Sequence, residues 1–108
     1  MPNTFKSIFS TLGNTATTNL YSVPSSTTGI VKSLYAANTG TGDSVLVSVT
    51  VGATGSSSVH VIRNGIVPIQ STLQVVTEPI VLEANDRIEI SASISNRIDV
   101  VLSYMEIT

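Results

Sequence analysis

The sequence predicts an all-β, single-domain β-sandwich, jelly-roll or Ig-like, of about eight short antiparallel strands. Three observations carry this. Val and Ile dominate an apolar share of 42%, while Trp is absent and aromatics are 5%. Ser and Thr make up more than a quarter of the chain, and both suit a half-exposed pleated surface. Apolar residues recur with period two, the side-chain period of a strand. At 108 residues the chain has the size of one domain, since a second hydrophobic core would not fit. It divides into an N-terminal strand or arm over residues 1–14 and a sandwich domain over 15–108.

The N-terminal segment admits two readings. Phe5, Ile8, Phe9 and Leu12 stand at i, i+3, i+4 and i+7, with Thr4 as an N-cap and Gly13 as a stop. With period two the same residues place Phe5 and Phe9 on one side and Ile8 and Leu12 on the other. The extended strand is favoured, because a lone helix of this length is marginal in water. Both phenylalanines of the chain lie here, either on the segment's own sheet or as an arm that docks on a neighbouring subunit.

Next comes a strand over Gly29–Ala37, closed by the turn cluster Asn38–Asp43. Val45, Val47, Val49 and Val51 form the cleanest alternation, with Leu46, Ser48 and Thr50 between them. Gly52–Ser57 reads as a turn, Ser58–Arg63 as a strand, and Asn64-Gly65 as a tight-turn dipeptide, because both residues tolerate positive φ. Glu83–Asp86 and Ser95-Asn96 are further turns. Ile88, Ile90, Ala92 and Ile94 alternate against Arg87, Glu89, Ser91 and Ser93. Ile98, Val100, Leu102 and Tyr104 alternate against Asp99, Val101, Ser103 and Met105. Val101 and Met105 are apolar at outward positions, so that face is expected to be covered. Pro24, Pro68 and Pro79 belong at strand starts, edges or loops, since proline cannot donate to a ladder.

Charge narrows the partners. Charged residues are 11% of the chain, less than half of the roughly 25% usual in globular proteins. A hydroxyl-coated, weakly charged surface points to protein–protein contact. A net charge of −2 with five scattered basic residues speaks against nucleic acid or an anionic membrane, which both need a basic patch. No cysteine is present, which excludes disulfides and thiolate metal sites. Residues Met1–Lys6 show no charged region followed by an apolar run, and no stretch approaches the ~18 apolar residues of a membrane helix. Synthesis in a cytoplasm, without an export address, is the expectation.

Candidate chemistry is sparse. His60 is the single histidine and sits opposite Val59 and Val61 in the alternation, a surface or interface position rather than that of a base. No G-x-S-x-G elbow occurs. Asp43, Asp86 and Asp99 are isolated. Glu83–Asp86 with Glu89 is the nearest approach to a calcium loop, yet the EF-hand pattern is missing and the interval suits a β-turn. Gly40-Thr41-Gly42 lacks the Gly and Lys of a phosphate loop and opens a strand rather than a helix. No enzyme, cofactor or metal is expected.

Two stretches, Asn19–Pro24 (NLYSVP) and Gly29–Thr39 (GIVKSLYAANT), resemble the "LYTVPA…AIVKSIYVAN" opening of a family of small virion structural proteins of tailed bacteriophages. Pro79–Ile88 (PIVLEANDRI) resembles the family's "PLVLEAGDSI", and Asp99–Ile107 resembles its closing strand. One departure is Ser25-Ser26-Thr27-Thr28 in place of the usual Ala-Gly turn after the proline. The resemblance implies a structural component of the particle, located in the virion after assembly in the host cytoplasm. The profile suits a capsid decoration, or cement, protein that binds and stabilises a preformed head. Its expected partners are the major capsid protein or other virion proteins, and copies of itself, with a trimer favoured. Phe5, Ile8, Phe9, Val101 and Met105 are the candidate interface residues. The alternatives are a neck, tail or tail-fibre accessory protein and, from another class, a carbohydrate-binding module. The latter would need exposed aromatics, and only Tyr21, Tyr35 and Tyr104 are available. Tyr35 and Tyr104 lie within strands, where a buried ring is expected.

Overall fold

A computed structural model describes residues 3–53 and 58–108. Nine strands follow one another: β1 (Asn3–Thr11), β2 (Thr18–Ser22), β3 (Thr28–Asn38), β4 (Val45–Ala53), β5 (Val59–Val67), β6 (Thr72–Val76), β7 (Ile80–Leu82), β8 (Asp86–Ala92) and β9 (Ile98–Ile107). A five-stranded sheet has the order β1-β9-β3-β6, with β7 sharing the β6 side of β3. A four-stranded sheet has the order β2-β8-β4-β5. Every pairing is antiparallel.

The chain changes sheet at every connection except β4–β5 and β6–β7. This interleaving makes a jelly roll and decides between the two sandwich types the sequence leaves open. The sheets pack face to face because each carries an apolar row. From the four-stranded sheet come Val45, Val47, Val49, Ile88, Ile90 and Ala92. The opposing sheet supplies Val31, Leu34, Ala36, Ile98, Val100 and Leu102. A fully buried aliphatic side chain contributes roughly 1.5–3 kcal/mol, offset in large part by lost chain entropy.

Residues 3–11 form the edge strand β1, paired in unbroken register with β9. The even-numbered positions face inward: Ile8 packs against the core, and Leu12, just beyond the strand, is buried. Pro24, Pro68 and Pro79 lie between strands, as their missing donors require.

Of the register shifts in the two sheets, two bear most on side-chain parity. In β3 the register against β9 shifts between Val31 and Ser33. Inward positions are therefore odd before Lys32 (Gly29, Val31) and even after it (Leu34, Ala36, Asn38). In β5, Asn64-Gly65 does not make the expected turn. The strand runs through it, Val47 opposes Gly65 and Val49 opposes Ile62, so two residues are accommodated against Ser48. Asn64 takes the left-handed conformation (φ 53°), and its N–H donates to the Ser48 hydroxyl oxygen at 2.9 Å. The turn expected over Gly52–Ser57 falls partly on residues 54–57, which lie outside the described residues.

Other turns follow the sequence reading. Asn85 (φ 70°) and Asn96 (φ 59°) occupy left-handed positions, which asparagine tolerates. Ser26 (φ 59°) supplies the left-handed residue in the Ser25–Thr28 segment, the departure from the phage family pattern. Asn38 closes β3 and is almost wholly buried. Its side-chain amide donates to the carbonyls of Asp43 (2.9 Å) and Val67 (3.1 Å), and its carbonyl accepts the Gly40 N–H (2.9 Å). One side chain thus shapes the β3–β4 loop and ties it to β5.

Candidate functional site

The outward face of the five-stranded sheet is built in rows, because directly opposed residues on neighbouring strands project to the same side. The first row is Phe5, Met105, Ile30 and Val81, crossing β1, β9, β3 and β7. Beside it run Ser7, Ser103 and Ser33. The third row is Phe9, Val101, Tyr35 and Gln74, crossing β1, β9, β3 and β6. The fourth holds Thr11, Asp99, Ala37 and Thr72. Two apolar rows therefore flank a row of serines.

Exposure on this face is high for such residues. Phe5 is 73% exposed, Phe9 74%, Val81 63% and Tyr35 38%. Two shallow depressions lie here, one lined by Phe9, Thr11, Asp99 and Val101, the other by Phe5, Ser7, Lys32 and Ser103. Asp99 accepts a 2.6 Å hydrogen bond from the Thr11 hydroxyl, and Lys32 sits at the bulge. The face is otherwise uncharged along its rows. Isolated apolar side chains at a surface need no explanation, whereas contiguous rows of them are unusual on the surface of a monomer.

The structure brings together Phe5 with Met105 and Phe9 with Val101, as direct cross-strand pairs. Ile8 is separated from them: it lies opposite Leu102 and packs on the inward side. Tyr35 departs from the buried role expected of it, and it joins the outward face with Ile30 and Val81. The bulge at Lys32 sets the parity that exposes Tyr35, and no residue-type pattern announces that bulge. Tyr21 and Tyr104 are buried, with ring centroids 4.1 Å apart.

Behind the face, a polar cluster fastens β1 and β2 to β9. The Tyr21 hydroxyl donates to the Glu106 carboxylate at 2.6 Å, and Lys6 pairs with the same carboxylate at 3.0 Å. Gly29 makes room for this arrangement: a Cβ there would lie 2.9 Å from Val23 Cγ2 and 3.2 Å from the Tyr21 hydroxyl. The hydrogen bond from Tyr21, then that from Lys6, holds the Glu106 carboxyl below the usual carboxylate range. Lys6 is raised by its hydrogen bond and attraction to Glu106. Tyr21 is raised first by burial and then by the bond to Glu106, and Tyr104 is raised mainly by burial. A phenol whose ionisation is suppressed and a carboxylate locked by two donors suit a fastening role.

The remaining polar candidates serve turns and surfaces. Asp86 accepts the Glu83 N–H at 2.9 Å and donates its own N–H to the Glu83 carbonyl at 3.0 Å, closing the turn that contains Asn85. His60 is exposed on β5 opposite Thr50. Among the described residues no group of three or more His, Cys, Asp or Glu could hold a metal ion, and no helix is long and apolar enough to cross a membrane.

No protein-family model matches the chain, and no curated protein matches it. Solved structures share its fold. A chain from Bacillus endospore appendages, described as a novel family of disulfide-linked pili, matches with TM-score 0.59 at 12% identity, over 99% of this chain and 87% of that one. A chain of infectious bursal disease virus, Gx strain, matches with TM-score 0.52 at 11% identity, over 98% of this chain and 33% of the viral one. At these identities the likeness is one of fold.

Proposed function

We propose that this chain is a structural virion protein of a tailed phage, a decoration protein that binds and stabilises the assembled head through the outward face of its five-stranded sheet. The observation that carries the reading is the pair of rows containing Phe5 and Phe9, each about three-quarters exposed, on a nearly uncharged surface. Such a surface loses little by desolvation and gains from repeated apolar and hydroxyl contacts, which symmetry multiplies across a shell. The motif resemblance from Asn19 to Ile107 supports the phage assignment. The major capsid protein is the partner that this reading requires. Disulfide linkage, as in the pili of like fold, is not open to this chain, which has no cysteine.

The test is saturable binding of the purified protein to undecorated heads, with copy number per virion as the second measurement. Decoration predicts hundreds of copies and a rise in the temperature at which the head ruptures. A count on the order of ten, the size of a ring at one vertex, would move the protein to the neck or tail.

A further inference from the structure

β1 is the outermost strand of its sheet, and among the described residues no strand lies beside its far edge. An open edge presents unpaired backbone donors and acceptors, and proteins ordinarily blunt such edges with short strands, bulges, prolines or charges. The other edges of this sandwich are blunted. β2 has five residues and a bulge between Asn19 and Tyr21. β5 is bulged and carries Arg63 and His60. The edge beyond β3 is divided between β6 and β7, with Glu78-Pro79 in the gap. β1 has only one of these devices, the charge of Lys6. It runs nine residues in unbroken register with β9. Its one charge, Lys6, is already neutralised by Glu106 of the same protomer.

Apart from Lys6 and Ile8, the strand is also chemically palindromic about Ser7. Outward from that residue stand Lys6 and Ile8, Phe5 and Phe9, Thr4 and Ser10, then Asn3 and Thr11. Two copies laid antiparallel with Ser7 opposite Ser7 would set Phe5 of each against Phe9 of the other. Both aromatic pairs would fall on the outward face, and Thr4 would meet Ser10 on the inward side. Lys6 would lie over the apolar Ile8 with its ammonium still held by Glu106, so no like charges oppose each other.

We propose that β1 pairs antiparallel with β1 of a second copy, about a twofold axis at Ser7, to join the two five-stranded sheets into one. The pairing supplies the missing ladder and adds aromatic cross-strand contacts. An isologous contact of this kind closes on itself at two copies, unlike the threefold arrangement suggested by the phage resemblance. It also extends the docking face, since the Phe5 row of one copy continues into the Phe9 row of the other. The inference concerns the chain alone and holds whether or not a phage head is the partner.

The experiment is sedimentation velocity of the full chain over a concentration series, together with two single-cysteine variants. Ser7→Cys places the thiols of the two copies directly opposite each other, whereas Thr11→Cys places each opposite Asn3. Both positions are exposed, and no native thiol competes. The expected result is a monomer–dimer equilibrium, with Ser7→Cys oxidising to a covalent dimer at least about tenfold faster than Thr11→Cys. Phe9→Lys should raise the dimer dissociation constant by roughly tenfold or more, because both aromatic pairs are lost. A chain that stays monomeric, forms a trimer, or cross-links equally through both cysteines overturns the proposal. A monomer would leave the edge to a strand of another protein.

Discussion

Tyr21 and Glu106, 85 positions apart, meet through a 2.6 Å hydrogen bond that joins the edge strand of one sheet to a central strand of the other. The carboxylate is buried and would be expensive to leave without donors. Removing the hydroxyl while keeping the ring tests this bond cleanly, because the stacking of Tyr21 on Tyr104 survives in phenylalanine. Tyr21→Phe is expected to lower unfolding stability by about 1.5–3 kcal/mol. Urea titration should show a lower midpoint with an unchanged slope.

The same cluster sets a pH profile. The folded-state Glu106 carboxyl lies below its ordinary 4.5, so its stabilisation is complete above that value. It is lost as pH falls from there through the depressed folded-state value, since the unfolded chain binds the proton first. Lys6 and Tyr21 are raised above their ordinary 10.5 and 10.0, so their contributions are complete below those values and are lost as pH rises through the raised ones. Thermal midpoints should therefore form a plateau that falls at both ends. Glu106→Gln should lower the plateau and flatten both limbs; unchanged limbs would assign the pH dependence to other groups.

Asn38 is a second buried fastener, with three hydrogen bonds to backbone groups of the β3–β4 loop and β5. Asn38→Ala strands these partners. A loss of about 2–3 kcal/mol is expected, read in calorimetry as a drop in melting temperature of roughly 10 °C.

Asn64 holds the β5 bulge in a left-handed conformation. Asn64→Gly should be tolerated within about 0.5 kcal/mol, whereas Asn64→Val forces a β-branched residue to positive φ at a cost of about 1–2 kcal/mol. Equal stability of the two variants in chemical denaturation would show that the bulge can migrate.

Phe5 and Phe9 separate folding from docking. Replacing both with Ser removes apolar surface that is mostly exposed already, so stability should change by no more than about 0.5 kcal/mol per site. Binding to undecorated heads should weaken at least about tenfold. If binding is retained at full strength, the outward face is not the contact surface.

Most strands, and the buried side of each, are readable from residue order alone. Val45–Val49, Ile88–Ala92 and Ile98–Tyr104 alternate because each lies between a core and an outer face, and one-sided burial imposes period two on residue choice. The division of Phe5 and Phe9 from Ile8 and Leu12 was legible for the same reason, as was the pairing of Val101 and Met105 on an outward face. The jelly-roll order, the exposure of Tyr35 and the meeting of Lys6, Tyr21 and Glu106 emerge only once the two sheets pack. The bulges at Lys32 and Asn64 reverse side-chain parity without any compositional signature, and Asn64-Gly65 would suit a hairpin turn equally well. Strand order and the Tyr21–Glu106 bond depend on which distant apolar faces pack together, a free energy that belongs to pairs of segments and is written in neither segment alone.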